Sequence, residues 1–413
     1  MTSRFWRLSR LSLVLLGLAL LCFVGSLCGN KPEEQFLEAV NISNNAGDSK
    51  NPSVAVDSRG TVHVVWTDGT PGIENQTEYA AICYACKPRG GSWSAPAYVS
   101  DTLHSSSFPQ LVVDRTDRLH LVYQTWWYLG SHSPQRILYS WRELSGDWSV
   151  PETIVGSEDY VTPKIAVDST GNVHVAWEWS PYSKRIRYAV RSPDGSWSPQ
   201  QDLPAPSFSH PAGLAADRLG NLHLVCEHVA TNYDSSDILY LMRSTTGDWS
   251  VPLNISNTGR AIWPAPLVTD RAGTVHAIWM FDTASAYWHG GFHRSRVPDG
   301  QWSPRTLVAP QIDHLSPRVP LLGDGDELIV PNPFAGRNDG EYEIVYVVKP
   351  AGEVWSDTVF CGFVKSDPYG FGVEAAAYDN QRRLYLVGSK SPSQHVYENE
   401  IYCVECSAER RKQ

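Results

Sequence analysis

The chain carries no extended basic block. Its 34 Lys and Arg are outnumbered by 44 Asp and Glu, giving a formal net charge of −10, which excludes nucleic acid or an anionic membrane surface as the main partner. No compact catalytic motif is present, and no cofactor is expected. Neither Cys22 nor Cys28 follows the small residue of a lipoprotein signal, since Leu21 and Leu27 precede them. The one long apolar run, residues 11–24, follows Arg4, Arg7 and Arg10 and is followed by Gly25 and Ser26. That order reads as a secretory signal over residues 1–30, with an uncleaved membrane anchor as the alternative. The remaining 31–413 are expected to be exported, to the medium or the cell surface, touching a membrane only through that segment.

What is abundant is aromatic. The 16 Trp and 19 Tyr, within a chain 42% hydrophobic, are enough for a large packed core. Its 31 Gly and 28 Pro are spread in short clusters, and turns at such close intervals point to an all-β protein.

The stretch 163–199 shows the unit from which the chain is built. An apolar run ends at Asp168, a turn closes at Gly171, an alternating run covers 173–177, a polar loop and a second alternating run follow, and Asp194-Gly195-Ser196-Trp197 opens the next strand. The same order recurs. Turn aspartates fall at Asp57, Asp114, Asp168, Asp217, Asp270 and Asp379, with Leu322 in a degenerate sixth unit; Trp93, Trp148, Trp197, Trp249, Trp302 and Trp355 interleave with them. Spacings of 49 to 57 residues, each holding four short strand patterns, are what a β-propeller requires, because one four-stranded sheet buries both faces only when neighbours stack around an axis. The expected fold is therefore a seven-bladed β-propeller. The seventh unit stops before its Trp strand, and residues 36–43 match the fourth unit's outer strand, 249–256. The N-terminal strand should complete the last blade and leave no exposed inner edge.

Ser192-Pro-Asp194-Gly195-Ser-Trp197, with the shortened variants Ser145-Gly-Asp147-Trp148 and Asp299-Gly300-Gln-Trp302, resembles the Asp-box of sialidase-type (BNR/Asp-box-related) repeat propellers. The resemblance covers residues 36–406 and implies the propeller fold. Such proteins also carry an arginine triad, one member in an R-I-P-like motif near the start. The nearest equivalent here is Arg318-Val-Pro320, in the sixth unit at the slot that Lys164 fills in the third.

His63, His120, His174, His223 and His276 each lie six residues after a turn aspartate. A hydrogen bond made once per blade explains this regularity better than a single site does, so these histidines are expected to serve the scaffold, with the imidazole and carboxylate satisfying turn backbone. The pairs Cys83/Cys86 and Cys403/Cys406 fall on third strands of the first and seventh units. Residues three apart on a strand point to opposite faces, against a four-thiolate zinc site. No metal is expected; a disulfide across the closure is.

Departures from repetition mark the site. The second-to-third-strand loops vary most and are rich in aromatics, which stack on sugar CH faces, and in carboxylates and arginines, which bind sugar hydroxyls. Glu178 and Glu227 hold matching positions in neighbouring units and, with Asp282, are the candidate catalytic groups. Trp126, Trp127, Trp179, Tyr182, His210, His228, Arg260, Trp288 and Arg337 are the candidate substrate contacts. The expected partner is a carbohydrate or glycoconjugate, met by a monomer acting as a glycosidase or lyase. A non-catalytic, lectin-like or protein-binding scaffold is the alternative.

Overall fold

The computed structural model describes residues 37–407 except 46, 70–79, 127–134, 159–161, 180–184, 231–235, 258–260, 265–266, 283–288, 299, 309–319, 324, 337–340, 357–358, 366–371 and 391–398. The N-terminal segment thus lies outside the described residues. Every described element is a β-strand or turn, and the strands form seven separate antiparallel sheets. In chain order they fall within residues 48–98, 105–158, 164–202, 209–254, 261–308, 321–365 and 372–407. These are blades 1 to 7, each running from an inner strand at the axis to an outer one. The last blade takes its fourth strand from Ala39–Asn41, which pairs with Glu400–Ser407 in the register Ala39↔Val404, Val40↔Cys403 and Asn41↔Tyr402. Ile42 continues the contact by donating its N–H to the Ile401 carbonyl at 2.8 Å, and its side chain is buried.

Six of the seven blades are built around a turn aspartate. In blade 3 the Asp168 Oδ1 accepts the N–H groups of Thr170 and Asn172, both at 2.9 Å, forming an Asx-type turn. Gly171 closes it at φ +85°, a conformation that a Cβ would strain. The other carboxylate oxygen accepts His174 Nε2 at 3.2 Å, and His174 Nδ1 meets the Tyr188 hydroxyl on the third strand at 2.6 Å. With Nε2 donating to a carboxylate, Nδ1 accepts the phenol proton. Blades 2 and 4 repeat the chain through His120 and Tyr139, and through His223 and Tyr240. In blade 4, burial works to raise the Asp217 pKa, but the bonds from His223 and Asn221 outweigh it and hold it at about 2. Blades 1 and 5 keep the geometry with longer carboxylate contacts of 3.5 and 3.6 Å. Blade 5 puts His293 where the tyrosine stood.

The imidazoles therefore bridge carboxylate to phenol, and the turn backbone is served by the carboxylate alone. The expectation that both groups would serve the turn is corrected in that detail. The two irregular blades obey the same logic. Blade 7 has Tyr385 in the histidine's place, donating to Asp379 at 3.2 Å. Blade 6 has lost both partners together, with Leu322 and Leu328 standing where aspartate and histidine would.

The tyrosines also join one blade to the next. Tyr84, Tyr139, Tyr188 and Tyr240 each meet the edge of a tryptophan from the following blade (Trp148, Trp197, Trp249, Trp302), with ring centroids 5.0 to 5.5 Å apart and nearly perpendicular. An arginine of that same following blade lies over each phenol ring: Arg142, Arg191, Arg243 and Arg296.

The disulfide expected between the two C-x-x-C pairs is not formed, and all six described cysteines are free. Cys83 and Cys403 do share one apolar cluster. However, the Cys83 thiol turns to the Asp68 carboxylate at 3.2 Å, while Cys406 meets Cys361 of blade 6.

His174→Ala orphans the Tyr188 hydroxyl and one Asp168 oxygen, and should lower stability by about 1–3 kcal/mol. Ile42→Ala should cost about 2–5 kcal/mol by leaving a cavity at the closure. Deleting 31–44 should cost more than either. Urea midpoints measure all three, and a midpoint unchanged by the deletion would contradict the terminal-strand closure.

Candidate functional site

Along each second strand, the residue ten positions after the turn aspartate reaches the same end of the ring, and it is not repeated. Counting from Leu322 in blade 6, the seven blades carry Thr67, Gln124, Glu178, Glu227, Met280, Asn332 and Ser389 there. On the inner strands, the position four before the aspartate holds Ser53, Gln110, Lys164 and Gly213 in blades 1 to 4. Between them lies a cavity of about 690 Å³ on the axis, lined among others by Ser53, Gln110, Lys164, His210, Glu227 and Glu374.

His210 is central. It lies on the inner strand Ser209–Ala216 of blade 4, directly opposite Glu227 in the ladder, and its Nδ1 is 2.6 Å from Glu178 Oε2 of blade 3. A bulge between Pro211 and Gly213 shifts the register just below it, a common way to re-aim a side chain beside a site. Because Nδ1 faces a carboxylate, neutral His210 carries its proton there and offers Nε2 as an acceptor.

Burial shifts the pKa of two further groups. Burial raises the Glu227 pKa, opposed only in part by His210, which favours a carboxylic acid able to give up a proton. Burial lowers the Lys164 pKa. Lys164 forms no ion pair with a described carboxylate, and its two strand neighbours toward the turn, Ile165 and Ala166, are buried apolar residues. Across the ring, Glu374 accepts a hydrogen bond from the Ser389 hydroxyl. His210, Glu227 and a lysine with no ion pair to a described carboxylate thus share one cavity.

Of the residues expected at the site, Glu178, Glu227 and His210 are brought together. Trp179 has one face covered by the Arg187 guanidinium, 3.7 Å from the ring centroid, and packs against the blade 3 core. His228 lies beside Ser209, 3.5 Å from its hydroxyl. Trp126 pairs with Ser105 and Gln135 at the rim of blade 2. Asp282 ends the strand Val275–Asp282, and its side chain lies outside the described residues. Trp127, Tyr182, Arg260, Trp288, Arg337 and also Arg318 lie outside them altogether. Lys164, Gln110 and Glu374 were not among the expected site residues. The signal was present, because a lysine opens the inner strand Lys164–Val167 where blades 1, 2 and 4 carry the uncharged Ser53, Gln110 and Gly213.

No protein-family model matches this chain, and no curated protein matches it. Solved structures do. An ulvan lyase of polysaccharide lyase family PL25, bound to a glucuronate–sulfated rhamnose unit, superposes with a TM-score of 0.60 at 12% identity, covering 89% of this chain and 96% of that one. A protein of unknown function from Dyadobacter fermentans gives 0.53 at 11% identity, covering 91% and 99%. The NanB sialidase of Streptococcus pneumoniae gives 0.48 at 14% identity, covering 94% and 72%. At such identities the likeness is one of fold. The structural neighbours include sialidases and a polysaccharide lyase, and the lyase superposition bears out the propeller fold that the Asp-box resemblance implied.

Since the folded-state pKa of Glu227 is raised, folding takes up a proton there above the ordinary value of 4.5. Its contribution to stability is full below that value and is lost as pH rises through the folded-state pKa. Melting scans across this window should show the native protein losing stability relative to Glu227→Gln as pH rises, the buried histidines with lowered pKa working in the opposite direction equally in both. A difference that stays constant with pH would show that Glu227 does not titrate as its burial requires.

Proposed function

We propose that the chain is an exported carbohydrate-cleaving propeller that breaks an acidic polysaccharide by β-elimination in the axial cavity. The observation that carries this reading is that Lys164, with no ion pair to a described carboxylate, lines the same cavity as His210, the partner of Glu178. Elimination next to a sugar carboxylate needs three things: a base for the proton on the carbon bearing the carboxylate, a cation to hold the carboxylate as that carbon becomes enolate-like, and an acid for the departing oxygen. His210 Nε2 is placed as base, with Glu178 fixing its tautomer. Lys164, in the same cavity, supplies the cation when a sugar carboxylate offsets the burial that lowers its pKa, and Glu227, whose pKa burial raises, supplies the acid. The bond from the uronate to the departing oxygen breaks as the proton leaves, giving an unsaturated sugar without water or an external reactant. The fold shared with a lyase that was solved on a glucuronate-containing ligand supports the same substrate class.

Hydrolysis by Glu178 and Glu227 as a carboxylate pair is the second reading, favoured by their matching positions in neighbouring blades. It is weakened by the engagement of Glu178 with His210. A lectin-like scaffold would need the cavity but no proton-transfer groups.

A panel of uronate-containing polysaccharides incubated with residues 31–413 distinguishes these readings. Elimination gives products with the ultraviolet absorbance of an unsaturated uronate. His210→Ala should reduce the rate by roughly 10²–10⁴-fold, in the range typical of a lost general base, and Lys164→Ala should raise KM, with melting temperatures nearly unchanged. New reducing ends without that absorbance would replace elimination by hydrolysis, and binding without turnover would favour the scaffold.

A further inference from the structure

Blades 6 and 7 meet at two buried cysteines. Cys361 lies on the outer strand Val359–Lys365 of blade 6, at the point where Val345 pairs with Phe360 and Ile344 with Gly362. Cys361 is therefore the extra residue of a β-bulge, and the bulge turns it inward: it is 7% exposed, against 37% for Phe360 before it. Cys406 lies on the third strand of blade 7, opposite Leu384. Its sulfur is 2.8 Å from that of Cys361, inside an apolar cluster that also contains Ile344, Tyr346 and Val404. A bonded pair of sulfurs sits at about 2.05 Å, so only a small movement separates these thiols from a covalent link.

We infer that Cys361 and Cys406 are a site of oxidative modification, forming a disulfide that joins blade 6 to blade 7. The oxidant is a small-molecule disulfide such as oxidised glutathione. The Cys361 thiolate attacks one glutathione sulfur and releases the other glutathione as a thiol. The Cys406 thiolate then attacks the Cys361 sulfur of the mixed disulfide and releases the second. Two protein thiols lose two protons and two electrons, and one glutathione disulfide becomes two glutathione thiols. The contact with Cys406 and then burial push the Cys361 thiol up, so thiolate attack is suppressed once the blades have packed. The link therefore forms while blade 7 is docking.

The other described cysteines are placed differently. Cys83 is engaged by Asp68, and Cys226 lies in blade 4, in a cluster that contains no second cysteine. The bond closes a loop spanning 45 positions that includes the inner and second strands of blade 7. That blade receives its outer strand from the opposite end of the chain, so it is held to its neighbour just where the ring is joined.

The full chain, refolded with reduced and oxidised glutathione and digested without reduction, should yield one linked peptide pair carrying Cys361 and Cys406. Reduction should lower Tm by roughly 5 °C, and Cys361→Ser and Cys406→Ser should each abolish that difference between oxidised and reduced samples. Alkylation of both thiols in the denatured, unreduced chain would overturn the inference, as would a bond joining either to Cys83, Cys86 or Cys403. Because the mapping uses the unaltered chain, it decides the matter even where a variant fails to fold, and neither outcome bears on the axial site.

Discussion

The buried imidazole held between a turn carboxylate and a tyrosine hydroxyl is the constraint on which the ring depends. It fixes three things at once: the turn between inner and second strands, the spacing of second and third strands, and the position of the phenol that receives the next blade's tryptophan. A polar group this deeply buried is costly unless it has a partner, so the chain keeps the three residues, exchanges one for another hydrogen-bonding group as in blades 5 and 7, or loses them together. Blade 6 shows the last outcome, with leucine at both the aspartate and histidine positions. Blade 5 shows how much variation is tolerated. Burial above all, with His276 and Lys349 adding to it, pushes His293 down to about 3, and as a neutral ring it can replace a phenol.

The axial site obeys the opposite rule. Its groups occur once each, on a scaffold that otherwise repeats, and they meet because neighbouring wedges bring equivalent strand positions together. Glu178 and His210 come from different blades, and His210 and Glu227 from adjacent strands of one blade. Nothing about their separation in sequence suggests a dyad.

Most of the architecture could be read from the chain. The turn aspartates gave the blade count, and the match of 36–43 to 249–256 gave the closure, since both are local patterns of period two broken by turn residues. Glu178 and Glu227 were legible as unrepeated carboxylates at a repeated position. Lys164 was visible only as an oddity, because its meaning depends on the three blades around it. The sulfur contact was hidden for a different reason. A bulge at Cys361 inverts the strand alternation there, and pattern alone gives no warning of a one-residue insertion. The aromatic loops are the most conspicuous departures from repetition in the sequence, yet the described part of the cavity is lined chiefly by inner strands, whose side chains reach inward from a rigid frame.

The row ten residues beyond the turn aspartates has a further consequence. Thr67, Gln124, Glu178, Glu227, Met280 and Ser389 stand at matching positions on six of the seven wedges, each wedge braced by apolar clusters that it shares with its neighbours away from this row. Such a row behaves like a dial with independently set letters: exchanging one alters what the axis presents without disturbing the frame that holds the rest. A lineage with this frame could therefore pass from one sugar chemistry to another by single exchanges, while the amino-acid pattern that identifies the frame stays silent about which chemistry it had reached.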